Sequence, residues 1–161
     1  MAEPSGAEGS EPTGTLGANA AIYLDSSALA KLYVPEPESD RLDALLRGRR
    51  SLMLSELAIT EVLSAVARRK REGVLSADQA YEIRDAVLAD ADSGSFDRLD
   101  LSPVVHRDAE RLLLSSDLLP LRTLDALHVA LALSGAATHV ATFDLRMRAA
   151  ALQAGLKVVE V

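Results

Sequence analysis

The chain has 161 residues, of which 48% are hydrophobic, so it can bury one core, and a filament, a collagen-like chain or a wholly disordered chain is excluded. It contains no cysteine, which excludes disulfides, thiolate zinc sites and a cysteine nucleophile. The net charge of −7 argues against a basic surface for nucleic acid, although residues 1–20 alone supply three acids and no base.

The first 20 residues are mostly Gly, Pro, Ser, Glu and Ala. Such a segment cannot bury enough apolar surface to offset the entropy of ordering, so we predict a disordered extension over 1–20 and one domain over 21–161. The extension lacks the basic start and apolar run of a signal peptide. The uncharged stretch 126–143 contains polar residues and a Ser-Gly pair, which favours a helix, a turn and a strand over a membrane span. We therefore expect a cytoplasmic protein with no membrane partner.

Short apolar runs alternate with helical periodicity along the rest of the chain. In chain order we predict strand 21–24, helix 28–33, helix 39–47, strand 51–54, helix 56–71, helix 76–91, strand 96–101, helix 103–116, helix 123–133, strand 138–143, helix 146–153 and strand 157–161. Ser26 or Ser27, Ser55 and Thr123 are the N-cap candidates. This alternation predicts a three-layer α/β fold, with a mainly parallel central sheet of about five short strands flanked by helices.

Four acids stand out at positions where carboxylates are unusual. Asp25 and Asp144 each follow an apolar run, and ligands of parallel α/β folds bind beyond the carboxyl ends of the strands. Asp125 is the only acid in a helix that is apolar nearly all round, and a buried carboxylate needs a partner, a proton or a metal. Glu61 shares a helix face with the small residues Ala58 and Ala65.

Each acid also has a structural interpretation. Asp25 and Asp144 could be turn residues after strands, Glu61 a solvated helix position, and Asp125 a first-turn acid favoured by the helix dipole. Together, however, the four can converge on one cleft, where they could not all stay ionised without cations. Oxygen ligands suit Mg²⁺ or Mn²⁺, and such a site can activate water and hydrolyse a phosphodiester. Outside residues 1–20 and these four acids, acidic and basic residues balance.

Four segments resemble the blocks of a PIN-domain ribonuclease, and most of all those of the VapC toxins of bacterial toxin–antitoxin pairs. They are YLDSSALAKLYVPEPES at 23–39, SELAITEVLSA at 55–65, LRTLDALHVALAL at 121–133 and ATFDLRMRAAA at 141–151. The resemblance spans residues 21–161 in order. A lone LDxS or FD would be weak, but four blocks in order at predicted strand ends and helices are specific.

The resemblance implies that Asp25, Glu61, Asp125 and Asp144 are the first to fourth catalytic acids and hold Mg²⁺ or Mn²⁺. It also implies supporting roles for the hydroxyls of Ser26, after the first acid, and Thr142, before the fourth. PIN domains often carry another acid near the fourth, whereas Leu145 and Arg146 follow Asp144 here, which leaves one or two metal ions open. The implied activity is endoribonuclease cleavage of RNA by a VapC-type toxin, typically a homodimer silenced by a VapB-type antitoxin.

Other features favour no competing enzyme class. His128 lies one helical turn after Asp125 and is interpreted as a hydrogen-bonded core residue, with substrate contact as the alternative. The basic runs 47–50 and 68–71 could be solvated helix ends or could hold RNA phosphates. The sequence has no GxxxxGK loop, no GxGxxG after a strand and no GxSxG elbow, so no nucleotide cofactor is expected.

Two alternatives to the nuclease remain at this stage. A phosphoacceptor receiver domain also uses an acidic magnesium pocket, but it needs paired acids at the first strand end, where Ser26 and Ser27 follow Asp25. A catalytically silent PIN-like module could act only as a protein-interaction surface.

Overall fold

A computed structural model describes residues 16–17, 19–115 and 121–161. The described residues form five strands and seven helices. In chain order these are β1 (Ile22–Leu24), α1 (Ser26–Lys31), α2 (Ser39–Leu46), β2 (Leu52–Ser55), α3 (Glu56–Arg71), α4 (Ala77–Asp92), β3 (Asp97–Leu99), α5 (Pro103–Ser115), α6 (Thr123–Ser134), β4 (His139–Ala141), α7 (Leu145–Gln153) and β5 (Lys157–Val158).

The five strands form one sheet in the order β3-β2-β1-β4-β5, and every neighbouring pair is parallel. From β1 the chain moves in one direction to β2 and β3, and then returns to place β4 on the other side of β1. The strand order therefore reverses between β1 and β4, where ligands of open α/β sheets bind. The register pairs Leu24 with Ala141, so the residues that follow these two strands emerge side by side.

The central strands β1, β2 and β4 are buried between two helical layers because they are mostly apolar on both faces. Tyr23, Met53 and Val140 pack against α5, α6 and α7 on one face. On the other face, strand residues such as Ile22 and Leu54 pack in two clusters against α1 to α4. The predicted three-layer α/β fold with a parallel sheet is confirmed.

The predicted elements are all present, and the differences concern their ends. Helix α3 has the predicted bounds, and Ser55 caps it by accepting a hydrogen bond from the Ala58 N–H. The predicted caps of two other helices are wrong. Asp25, rather than Ser26 or Ser27, caps α1, and Thr123 is already the first residue of α6 because the extended residue is Arg122. The last three strands are also shorter than predicted.

Residues 1–15 and residue 18 of the predicted extension lie outside the described residues. Leu16 and Ala20 pack against the core cluster that contains Ile22, and the Arg49 guanidinium donates to the backbone carbonyls of Leu16 and Gly17. No helix within the described ranges is long and apolar enough to cross a membrane.

Candidate active site at the carboxyl edge of the sheet

Asp25 lies at the centre of the edge where β1 and β4 end. Its side chain is buried, its Oδ1 accepts hydrogen bonds from the Ser27 hydroxyl at 2.7 Å and the Ala28 N–H at 2.9 Å, and its Oδ2 accepts from the Thr142 hydroxyl at 2.5 Å. Burial raises the pKa of Asp25, and these hydrogen bonds oppose the rise. All three donors are uncharged, and the electrostatic effect of His128 is the smallest of the influences that lower this pKa.

Thr142 connects the first candidate acid to the fourth. The hydroxyl that donates to Asp25 also accepts the Asp144 N–H at 3.1 Å. The Asp144 carboxylate is exposed and caps α7, accepting from the Arg146 N–H at 2.7 Å. Thr142 is thus placed as a supporting residue of Asp25, while Asp144 begins a helix at the rim of the edge.

Asp125 is partly buried in the first turn of α6, where its Oδ2 lies 3.4 Å from the backbone nitrogen of Arg122. Burial raises the pKa of Asp125, the Arg122 N–H lowers it, and the negative charge of Asp144 raises it further. A like charge shifts a carboxyl pKa upward only from nearby. The third and fourth acids are therefore coupled electrostatically.

Glu61 approaches the same edge from α3 and meets His128 of α6. The Oε2 atom of Glu61 lies 2.6 Å from Nε2 of His128, which is buried. Burial alone would raise the pKa of Glu61, but the hydrogen bond and charge of His128, with a smaller effect of the Ser26 hydroxyl, lower it. His128 also lowers the pKa values of Asp25 and Asp125 electrostatically, so it is coupled to three of the four acids.

The donor chemistry of this edge fits a hard divalent cation. Carboxylate and hydroxyl oxygens are the ligands that Mg²⁺ and Mn²⁺ prefer. Burial disfavours the ionised forms of Asp25 and Asp125 by raising their pKa values, an effect that a bound cation would offset. Among residues 16–17, 19–115 and 121–161, no three acid or histidine side chains are grouped closely enough to hold a metal ion. The fit therefore rests on ligand type and charge.

A cavity of about 410 Å³ lies between α1 and α3, and of the four candidate acids only Glu61 lines it. Ser26 and Glu61 line one end, and Arg68, two helical turns further along α3, lines the other. Arg69 contributes to the wall but is paired with Glu36 at 2.7 Å. In the other basic run, Arg47 pairs with Asp43 and Arg49 holds backbone carbonyls. Of the two basic runs, only 68–71 reaches the candidate site.

The side chains of Tyr23, Ser27 and Ser55 were not predicted as site residues. The Tyr23 hydroxyl bonds to the Ser55 hydroxyl at 2.8 Å and to Nδ1 of His128 at 2.7 Å, and Ser27, rather than Ser26, bonds to Asp25. The polar hydroxyl of Tyr23 within an apolar run, two residues before Asp25, was the available signal. A buried tyrosine hydroxyl needs a partner, although the sequence does not show which one.

Comparison with known proteins decides the family. The PIN domain family matches residues 22–152. The chain belongs to the PIN-domain family. Its similarity to "Ribonuclease VapC46" of Mycobacterium tuberculosis is 41% identity over 144 residues, which is 87% of this chain and 97% of that protein, so this PIN domain is a member of the VapC ribonucleases. A receiver domain is excluded.

Solved structures show the same fold. VapC20 of Mycobacterium tuberculosis, described as a sarcin-ricin loop cleaving toxin, is 20% identical with a TM-score of 0.64, covering 80% of this chain and 94% of that one. VapBC2 from Rickettsia felis, solved bound to a promoter DNA fragment, gives a TM-score of 0.60 at 15% identity over 86% of this chain and 96% of that one. The PIN fold therefore extends over almost all of both neighbours.

Proposed function

We propose that this PIN domain is an endoribonuclease that cleaves RNA with Mg²⁺ or Mn²⁺ and acts as the toxin of a VapBC-type pair. The observation that carries the proposal is the group of four acids around the carboxyl ends of β1 and β4, linked through Thr142, His128 and the charge of Asp144. These acids lie within the residues that match the family.

Asp25, Glu61, Asp125 and Asp144 would hold the cation, directly or through water. The cation supplies a water nucleophile at neutral pH and stabilises the phosphodiester oxygens. The chain itself orients the site. Ser27 and Thr142 fix both oxygens of Asp25, and His128 fixes one oxygen of Glu61.

The cavity could hold the RNA backbone on one side of the acids. Arg68 is exposed and has no recorded ion-pair partner among the described residues, so its guanidinium is available to an RNA phosphate at the far end of the cavity. Such a contact would hold the backbone without selecting its sequence. Arg69, which is paired with Glu36, would contribute less.

The proposed partners follow from the family. We expect a cytoplasmic homodimer kept inactive by a VapB-type antitoxin whose C-terminal segment covers the acidic cleft. The chain carries 24 acidic and 17 basic residues, so a basic antitoxin segment would be attracted to the cleft. Residues 1–20 are proposed as an extension of the nuclease domain of 21–161, with Leu16 and Ala20 packed against that domain.

Cleavage of a fluorogenic single-stranded RNA by the full-length protein tests the proposal. We expect activity with Mn²⁺ or Mg²⁺, no activity in EDTA, and suppression of activity by the antitoxin encoded by the neighbouring gene. Asp25→Asn or Asp125→Asn should lower activity by roughly a hundredfold or more, because electrostatic stabilisation of the transition state typically contributes that much. Asp78→Asn, an exposed first-turn acid of α4, is the matched control and should keep parental activity. Full activity in EDTA or in both site variants would refute the proposal.

The silent interaction module is the second candidate. It is favoured by the structural roles of the acids, since Asp25 and Asp144 cap helices and Asp125 lies near a helix-start amide. Binding of the antitoxin without RNA cleavage under any metal condition would support it.

A further inference from the structure

Glu61 is anchored to the protein core through a buried series of hydrogen bonds. The Ala58 N–H donates to the Ser55 hydroxyl at 3.2 Å, Ser55 bonds to the Tyr23 hydroxyl at 2.8 Å, Tyr23 bonds to Nδ1 of His128 at 2.7 Å, and Nε2 of His128 bonds to Glu61 at 2.6 Å. Tyr23 and Ser55 are completely buried. The series links β1, the start of α3 and α6 to one carboxylate.

The hydrogen bonds of this series hold His128 at both ring nitrogens. A carboxylate can only accept, so the hydrogen between His128 and Glu61 belongs to Nε2. Burial raises the pKa of the Tyr23 hydroxyl far above its usual value, so Tyr23 keeps its proton. Nδ1 of His128 bonds to the Tyr23 hydroxyl, which bonds in turn to the Ser55 hydroxyl. The ring orientation of His128 is therefore fixed from both sides.

Glu61 differs from the other three acids in what orients it. Asp25, Asp125 and Asp144 each face a backbone N–H at the start of a helix. Glu61 is the sixth residue of α3, away from either helix end, and its described side-chain partners are His128 and Ser26. A glutamate has three side-chain torsions and loses entropy when it is fixed. Its orientation therefore depends on His128.

We propose that His128 is a positioning residue that holds Glu61 toward the other acids and so raises the affinity of the site for a divalent cation. The inference rests on the proposed function, because it assigns Glu61 to that site. Partners that orient a ligating carboxylate typically contribute a factor of about 10–100 in metal affinity or activity. His128 is suited to this role because it is fixed by Tyr23 and also acts on Asp25 and Asp125.

Two substitutions of His128 separate positioning from packing. The amide nitrogen of His128→Gln reaches the position of Nε2 and can still donate to Glu61. The shorter amide of His128→Asn corresponds to Nδ1, so it can contact Tyr23 but not Glu61. Both variants place an amide in the same buried space and both interrupt the series, so their thermal stabilities should fall together. Mn²⁺ binding by titration calorimetry, and kcat and KM for RNA, are measured for both and for the parent.

We expect His128→Asn to weaken Mn²⁺ binding by about tenfold or more and to lower kcat more than it raises KM, whereas His128→Gln recovers most of the affinity. Equal Mn²⁺ affinity in the two variants would overturn the positioning role. If His128→Asn does not fold, the Nε2-bound proton of His128 is observed by NMR in the parent and should lose its downfield shift in Glu61→Ala. An unchanged shift would also overturn the inference. Failure of the proposed function is distinct, because the parent itself would then neither bind Mn²⁺ nor cleave RNA.

Discussion

Each acid at the carboxyl edge of the sheet could have a structural role or could hold a metal ion. Measurements of stability distinguish the two roles. Asp25 and Asp144 cap helices and Asp125 lies near the first free amide of α6, which stabilises the fold. The negative charge of Asp144 also raises the pKa of Asp125, and this repulsion destabilises the fold. Asp125 shows the conflict best, because its contact with the Arg122 N–H is long, at 3.4 Å.

Asp125→Asn should make the metal-free protein melt at or above the parental temperature. The substitution removes the charge that Asp144 repels, while the asparagine oxygen can keep the contact with Arg122. Metal binds the folded site and hardly the unfolded chain, so millimolar Mn²⁺ should raise the melting temperature of the parent more than that of the variant. Thermal melts of both proteins in EDTA and in Mn²⁺ measure the two effects.

Asp78→Asn is the control for this experiment, because Asp78 is an exposed acid in the first turn of α4. It should cost about 0.3–1 kcal/mol through the helix dipole and leave the response to Mn²⁺ unchanged. If Asp125→Asn instead melts below the parent in EDTA, Asp125 has a purely structural role and does not belong to the metal site.

At the residue scale the sequence located the acids but not their partners. Asp25 and Asp144 could be predicted because each follows an apolar run, and the carboxyl ends of parallel strands meet at one edge. The contact between Glu61 and His128 could not, because the two residues are 67 positions apart on different helices. Helical spacing gives the face on which a residue lies, but it does not give the rotamer or the opposing side chain.

At the element scale, helices were predicted more closely than strands because a helix closes its own hydrogen bonds. Helix α3 has the predicted bounds. The last strand, predicted over 157–161, is only Lys157–Val158 because β5 lies at the edge of the sheet and pairs with β4 at two positions. The length of an edge strand depends on its neighbour, which local sequence does not encode. Thr123 was predicted as a cap, but it already lies within α6.

Tyr23→Phe should lower the free energy of unfolding by about 1–3 kcal/mol, because it leaves the buried polar groups of Ser55 and His128 without the shared hydroxyl. Tyr33→Phe is a matched control. It removes the same atom, but the Tyr33 hydroxyl donates to Asp90 at an exposed position, so the loss should stay below about 1 kcal/mol. Urea unfolding of the three metal-free proteins measures both effects, and equal losses would show that the buried series does not stabilise the contact of β1 with α6.

At the scale of the whole molecule, a network of ion pairs lies beside the cavity. It connects the segment between α1 and α2 with helix α3. The ammonium of Lys31 is buried, bonds to Glu36 at 2.6 Å and Glu38 at 2.7 Å, and lies 4.5 Å from the centre of the Phe143 ring. Glu36 bonds in turn to Arg69. Members of this network line the cavity, so it forms part of the cavity wall.

Glu36→Gln should lower stability at neutral pH and have little effect in acid. The hydrogen bond from Lys31 lowers the pKa of Glu36 below its ordinary value of 4.5, burial opposes this, and Arg69 adds to the decrease. At a pH between the lowered pKa of Glu36 in the folded protein and its ordinary pKa in the unfolded chain, the unfolded chain binds more protons than the folded one. The stabilisation is therefore fully present above the ordinary pKa and is lost as the pH falls through the folded-state pKa. The side chain is 34% exposed, so solvent screening reduces the effect.

Urea unfolding of parent and variant, from about pH 7 down to about pH 4, should show that the difference between their free energies of unfolding decreases as the pH falls. Glu110→Gln, at an exposed position of α5, is the control for the substitution itself and should change the free energy of unfolding little. A parent–variant difference for Glu36 that stays constant over this range would mean that the Glu36 carboxylate is not stabilised by Lys31 and Arg69 in solution.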